Sequence, residues 1–116
     1  MYKRFVAELE AFADKIANQF GLRENTKYGS SIAVSPSKNV WTVPYSLKFN
    51  DDGTITAKGY IFIKTDNDRQ IDDIVDYIVL NVKNTDLLIT RIITQINDER
   101  RRSGIIEVEV MMLLRC

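Results

Sequence analysis

The sequence predicts a single α+β domain spanning 1–116: a helix, a largely antiparallel sheet of about four strands on a central β-hairpin, two further helices and a C-terminal strand. Three observations predict it. Residues 40–65, VWTVPYSLKFNDDGTITAKGYIFIKT, are two alternating runs joined by a turn. Residues 2–20 carry an amphipathic helical stripe, and residues 105–115, IIEVEVMMLLR, alternate again at the strand period.

The first helix is read from Phe5, Leu9, Phe12, Ile16 and Phe20, spaced by three and four, with Gly21 as its stop. Residues 22–31 are polar and read as a loop. Ile32-Ala33-Val34 follows as a short edge strand ended by Pro36. In the hairpin, Asp51-Asp52-Gly53 fits a three-residue loop with a left-handed glycine at its end. That loop sets Phe49 opposite Ile55, Leu47 opposite Ala57, Tyr45 opposite Gly59, Val43 opposite Ile61 and Trp41 opposite Ile63, one apolar face for the core. Gly59 opposite Tyr45 leaves room for a ring over the backbone. Pro44 cannot donate to a ladder, so either its nitrogen faces no partner or a bulge occurs there.

Residues 66–76, DNDRQIDDIVD, form an acidic block with Asn67 and Gln70 at capping-box spacing. Ile71, Ile74, Val75, Ile78 and Val82 then give a helical stripe. Asn84-Thr85-Asp86 reads as a break and a new N-cap. Leu88, Ile89, Ile92, Ile93 and Ile96 give a second stripe, with Arg100, Arg101 and Arg102 in the last turn and Gly104 closing it. Residues 69–102 also admit one long helix on a heptad seam, or a hairpin turning at Asn84-Thr85-Asp86, since YIVLNVK and LLITRIIT are dense in β-branched residues. In the last strand Ile106, Val108, Val110, Met112 and Leu114 make the core face. Ile105, Glu107, Glu109, Met111 and Leu113 make the other, and the strand is central or covered at its far end.

Composition narrows the chemistry. Sixteen basic and sixteen acidic residues leave a formal charge of zero, which argues against a general nucleic-acid or anionic-membrane binder and favours self-association. There is no histidine, which removes His-based triads and His metal ligands. The single cysteine, Cys116, excludes an intrachain disulfide and thiolate metal sites within one chain. No phosphate-cradling glycine motif occurs. Asp66-x-Asp68-x-Gln70 opens like a calcium loop but has Ile71 where the glycine belongs and Tyr77 where the bidentate acid belongs. Glu107 and Glu109 read as a solvated strand face. No catalytic, cofactor or metal residue is expected. The absence of an apolar run of membrane-spanning length and of a signal peptide leads to the expectation of a cytoplasmic, non-membrane protein.

The functional expectation is therefore a non-enzymatic interaction or assembly protein, partnered by protein, as a homo-oligomer or within a larger complex. If the helices cover one sheet face rather than both, Pro44, Tyr60, Phe62, Met111 and Leu113 remain on an open face, the interaction surface. The order helix–hairpin–helix–strand resembles small phage tail-terminator and tail-completion subunits, and that resemblance implies a ring-forming structural subunit. The alternative is a small nucleic-acid-binding module using Lys58, Tyr60, Phe62 and Lys64, which interleave rings with cations, or the Arg100–Arg102 cluster.

Overall fold

A computed structural model of the chain describes residues 2–22, 27–28, 31–32, 39–97 and 103–115. The elements run α1 (Tyr2–Phe20), β1 (Lys27–Tyr28), β2 (Ser31–Ile32), β3 (Val40–Phe49), β4 (Thr54–Thr65), α2 (Ile71–Asn81), β5 (Leu88–Asn97) and β6 (Ser103–Arg115). β1 and β2 pair as a small antiparallel ribbon. The main sheet has four antiparallel strands in the order β3-β4-β6-β5. The domain is thus α+β, an open sheet with two helices.

Both helices lie on the same side of that sheet, and two glycines fix where. A Cβ on Gly59 would stand 3.1 Å from Leu9 Cδ2 and 3.2 Å from Phe5 Cζ, so this position lets α1 settle onto β4. A Cβ on Gly104 would collide with Ile71 Cδ1, so the first residue of α2 sits directly on β6. Gly59 pairs with Val110, and Gly104 shares the face of Val110 because strand side chains alternate. Beneath the helices the core comprises Phe5, Leu9, Phe12 and Ile16 of α1 and Ile71, Ile74 and Ile78 of α2. The strands supply Ile55, Ala57, Ile61 and Ile63, together with Ile106, Val108, Val110, Met112 and Leu114. The predicted core face of the last strand is buried at all five positions, and that strand is central.

Local chemistry sets the element ends. Gly21 adopts φ 63°, and Leu22 N–H donates to Ala17 O at 2.9 Å, a Schellman closure of α1. Gly53 adopts φ 85° at the end of the three-residue loop. Asn50 N–H donates to Thr54 O at 2.8 Å, and Asp52 Oδ1 accepts from the Thr54 amide and hydroxyl. Those two bonds hold the Asp52 carboxyl below its ordinary range. Asn67 Oδ1 accepts from Arg69 N–H to start the turn before α2. Its own N–H donates to the buried Thr65 hydroxyl, which also bonds Gln70 Oε1, so the reciprocal half of the expected capping box goes to Thr65.

Three expectations are corrected. The second predicted helix after the hairpin does not form: residues 88–97 are strand β5, paired with β6. Thr85 does mark the break, donating to Val82 O and accepting from Leu87 N–H, but no helix follows. Gly104 is a strand residue rather than a helix stop. The hairpin register holds for Phe49–Ile55 and Leu47–Ala57 and then slips by one at a bulge between Pro44 and Ser46. Beyond it Pro44 pairs with Gly59, Val43 with Tyr60, Thr42 with Ile61, Trp41 with Phe62 and Val40 with Ile63. The bulge anticipated at Pro44 therefore occurs, and it turns Trp41, Val43 and Tyr45 away from the core while Val40 enters it. Of the predicted short strand, Ile32 lies in β2, and Ala33, Val34 and Pro36 fall outside the described residues, as do Arg100, Arg101, Arg102 and Cys116.

Candidate functional site

The side of the sheet opposite the helices is covered by no element among the described residues. Alternation assigns its residues. β4 contributes Thr56, Lys58, Tyr60, Phe62 and Lys64, and β6 contributes Ile105, Glu107, Glu109, Met111 and Leu113 in register beside them. β3 adds Trp41, Val43 and, through the bulge, Tyr45. β5 carries a bulge of its own between Ile89 and Arg91, and it adds Leu88, Arg91, Ile93 and Gln95.

Four aromatic rings form a continuous row across this face. Trp41 and Phe62 have centroids 5.5 Å apart, Phe62 and Tyr60 5.6 Å, and Tyr60 and Tyr45 4.9 Å, with interplanar angles between 21° and 29°. Nearly parallel rings at such distances overlap in offset stacks, so each leans on part of its neighbour's face. The row is flanked by further apolar side chains: Val43, Leu88, Ile105 and Leu113 are all exposed. A hollow of about 190 Å³ opens beside it, lined by Phe62, Ile93, Gln95, Ile105 and Glu107.

Glu109 anchors the middle. It accepts from the Thr90 hydroxyl at 2.7 Å and from the Tyr45 hydroxyl at 3.2 Å. The Thr90 bond is the chief reason its carboxyl sits below the ordinary glutamate value, followed by Tyr60, Tyr45 and the charge of Arg91. The Tyr45 phenol is pushed up, first by desolvation in the stack and then by Glu109.

Of the residues expected on the interaction surface, Tyr60, Phe62, Met111 and Leu113 share this open face. Pro44 does not. It pairs with Gly59 on the helix side, because the bulge flips the strand between Pro44 and Ser46. The Arg100–Arg102 cluster lies outside the described residues. Trp41, Val43 and Tyr45, expected in the core, lie on the open face instead, and the proline inside β3 is the sequence signal for that change; Leu47 and Phe49 keep the expected pairing with Ala57 and Ile55 but are 42% and 76% exposed, so they too lie outside the core. Among the described residues no cluster of acidic or cysteine side chains is placed to hold a metal ion, and no helix is long and apolar enough to cross a membrane.

These elements define a class, a four-stranded antiparallel sheet with two helices on one face and an aromatic row on the other. No protein-family model matches the chain, and no curated protein matches it at a significant level.

Proposed function

We propose that this protein is a non-enzymatic assembly subunit that self-associates through the open face of its sheet. The observation that carries the reading is the row Trp41–Phe62–Tyr60–Tyr45, set among exposed apolar side chains on a face that no other element among the described residues covers. Large contiguous apolar patches on monomeric proteins are rare and mark interaction sites. Strand spacing of about 4.8 Å and rise of about 3.3 Å per residue give the face an area on the order of 700 Å². That is close to the ~800 Å² per partner of a standard interface.

The face is favoured over the edges. Both edge strands, β3 and β5, are interrupted by bulges, a feature that blunts edge-to-edge pairing. The final strand, β6, is internal and offers no free edge. A ring-type structural subunit, as in the phage tail proteins that the element order resembles, is one assembly of this kind.

The second reading, a nucleic-acid-binding module, draws on Lys58 and Lys64 flanking Tyr60 and Phe62. A base-stacking platform works by offering ring faces to solvent. Here the rings lean on each other, which favours a protein partner. Light scattering across a concentration series tests the first reading: association is expected, and Tyr60→Ser/Phe62→Ser is expected to abolish it. A strictly monomeric wild type would sink it. A salt-sensitive mobility shift with oligonucleotides would instead support the second.

A further inference from the structure

Charge divides between the two sides of the molecule. By register the open face holds Lys48, Lys58, Lys64, Arg91 and Arg115 against Glu107 and Glu109. Residues 66–76, which lead into and begin α2, hold Asp66, Asp68, Asp72, Asp73 and Asp76 against Arg69. Zero net charge thus conceals a basic face and an acidic helix.

α2 buries Ile71, Ile74 and Ile78 against the sheet, which leaves Asp72, Asp73, Asp76, Val79 and Leu80 exposed on the outward stripe. Val79 is 51% and Leu80 59% exposed, high values for apolar side chains adjoining three acids. Among the described residues no ion pair engages Asp72, Asp73 or Asp76, nor Lys58 or Lys64. This stripe and the open face lie on opposite sides of the domain, because α2 sits on the helix side and points away from the sheet.

We propose that the open face of one copy receives the α2 stripe of a second copy, so that the chain assembles head to tail. Leu80 enters the hollow beside Phe62, between Ile93 and Ile105. Asp76, one turn before Leu80, meets Lys64, which stands beside Ile105 at the hollow, and Asp73, two turns before it, faces Lys58 further along β4. The hollow, at about 190 Å³, has room for one aliphatic side chain. Glu107 on its rim orients the helix, since it repels the acids and leaves the lysine side as their landing place. Two different surfaces on opposite sides make a heterologous contact, which closes into a ring or continues as a filament. A face-to-face pair would set Lys58 and Lys64 of both copies into one interface, whereas the helix supplies the opposite charge.

The proposal rests on self-association through the open face, and charge reversal separates the two. Lys58→Glu/Lys64→Glu spoils the face, and Asp73→Lys/Asp76→Lys spoils the helix. All four positions are solvent-facing, and circular dichroism confirms that each variant keeps its fold. By light scattering each variant alone is expected to be monomeric where wild type associates, with apparent affinity lowered about tenfold or more. An equimolar mixture is expected to reassociate past the dimer in alternating order, because the intact helix of one variant meets the intact face of the other and the two reversed surfaces complement each other. The fourfold swapped chain is expected to reassociate with itself. If the helix variant associates like wild type while the face variant does not, head-to-tail assembly is wrong and face-to-face pairing stands. If the face variant also associates like wild type, assembly through this face is wrong as well. A wild type that stays monomeric overturns both.

Discussion

Tyr45 lies over Tyr60 with ring centroids 4.9 Å apart, although its sequence neighbour Pro44 faces the helices. The bulge is what puts them on opposite sides. It also brings the Tyr45 hydroxyl to Glu109 Oε2, two strands away. One irregularity therefore builds both the aromatic row and its polar anchor.

That anchor has a pH signature. Glu109 has a folded-state pKa below the ordinary 4.5, with the Thr90 hydroxyl as the first cause. The stability it contributes is present above the unfolded value and is lost as pH falls through the lower folded value. Tyr45 behaves in the opposite sense: its pKa is raised above 10.0, so its contribution is present below the unfolded value and disappears as pH rises through the folded one. Carboxyl NMR titration should find Glu109 titrating below free glutamate. Thr90→Val should move it upward, and by more than Tyr45→Phe does. An unchanged titration in Thr90→Val would remove the hydrogen bond from the account.

The two sides of β6 should differ sharply in what they contribute to folding. Ile106 is fully buried and Ile105, next to it, is 42% exposed. Ile106→Ala should cost about 2–5 kcal/mol, as large-to-small core substitutions do. Ile105→Ala should cost less than about 1 kcal/mol in the monomer, in the range of surface changes. Urea denaturation at low concentration compares them. Equal losses would mean that the open face is covered in the free protein.

This alternation was legible because β6 is internal and its two faces have different neighbours all along it. Its acids and apolar residues sort accordingly. β5 was not legible for the opposite reason. It is an edge strand with isoleucines on both faces, Ile92 toward the core and Ile93 toward the open face, and a bulge after Ile89 shifts the count. Leu88, Ile89, Ile92, Ile93 and Ile96 then fall at helical spacing by coincidence. The density of β-branched side chains was the truer signal. Tyr60 and Phe62 could be placed on the uncovered side from alternation in β4. Trp41, Val43 and Tyr45 could not, because a single inserted residue inverts the first half of β3.

The two sheet glycines should resist alanine unequally. At Gly104 the added methyl meets Ile71 Cδ1 and lies 3.2 Å from the Gln95 carbonyl oxygen. Gly104→Ala should destabilise by about 1–3 kcal/mol, the usual range for overpacking. Ile71→Val removes the colliding methyl group, so the double variant should lose less than the sum of the two single changes. Gly59→Ala meets its nearest neighbours at 3.1 Å and 3.2 Å and should cost less than Gly104→Ala. Additivity of Gly104→Ala and Ile71→Val in thermal or urea unfolding would show that the α2–β6 approach is not set by this contact.

The bulge itself makes an unusual demand on deletions in β3. Ser46 pairs with Lys58 and Pro44 with Gly59, so Tyr45 is the one residue without a position in the ladder. Deleting Tyr45 joins the two halves into a regular strand. Val40 stays on the core face and Trp41 and Val43 stay on the open face. Deleting Val43 keeps the same chain length but moves Val40, Trp41 and Thr42 each to the wrong side. Val40, 6% exposed, would then lose its burial, which is worth about 1.5–3 kcal/mol, and Trp41 would be forced beneath α1. The Tyr45 deletion should therefore fold with the smaller loss of stability, and its amide exchange protection in β4 should match wild type. If the two deletions are equally damaging, the bulge is not what sets which side of β3 faces the core.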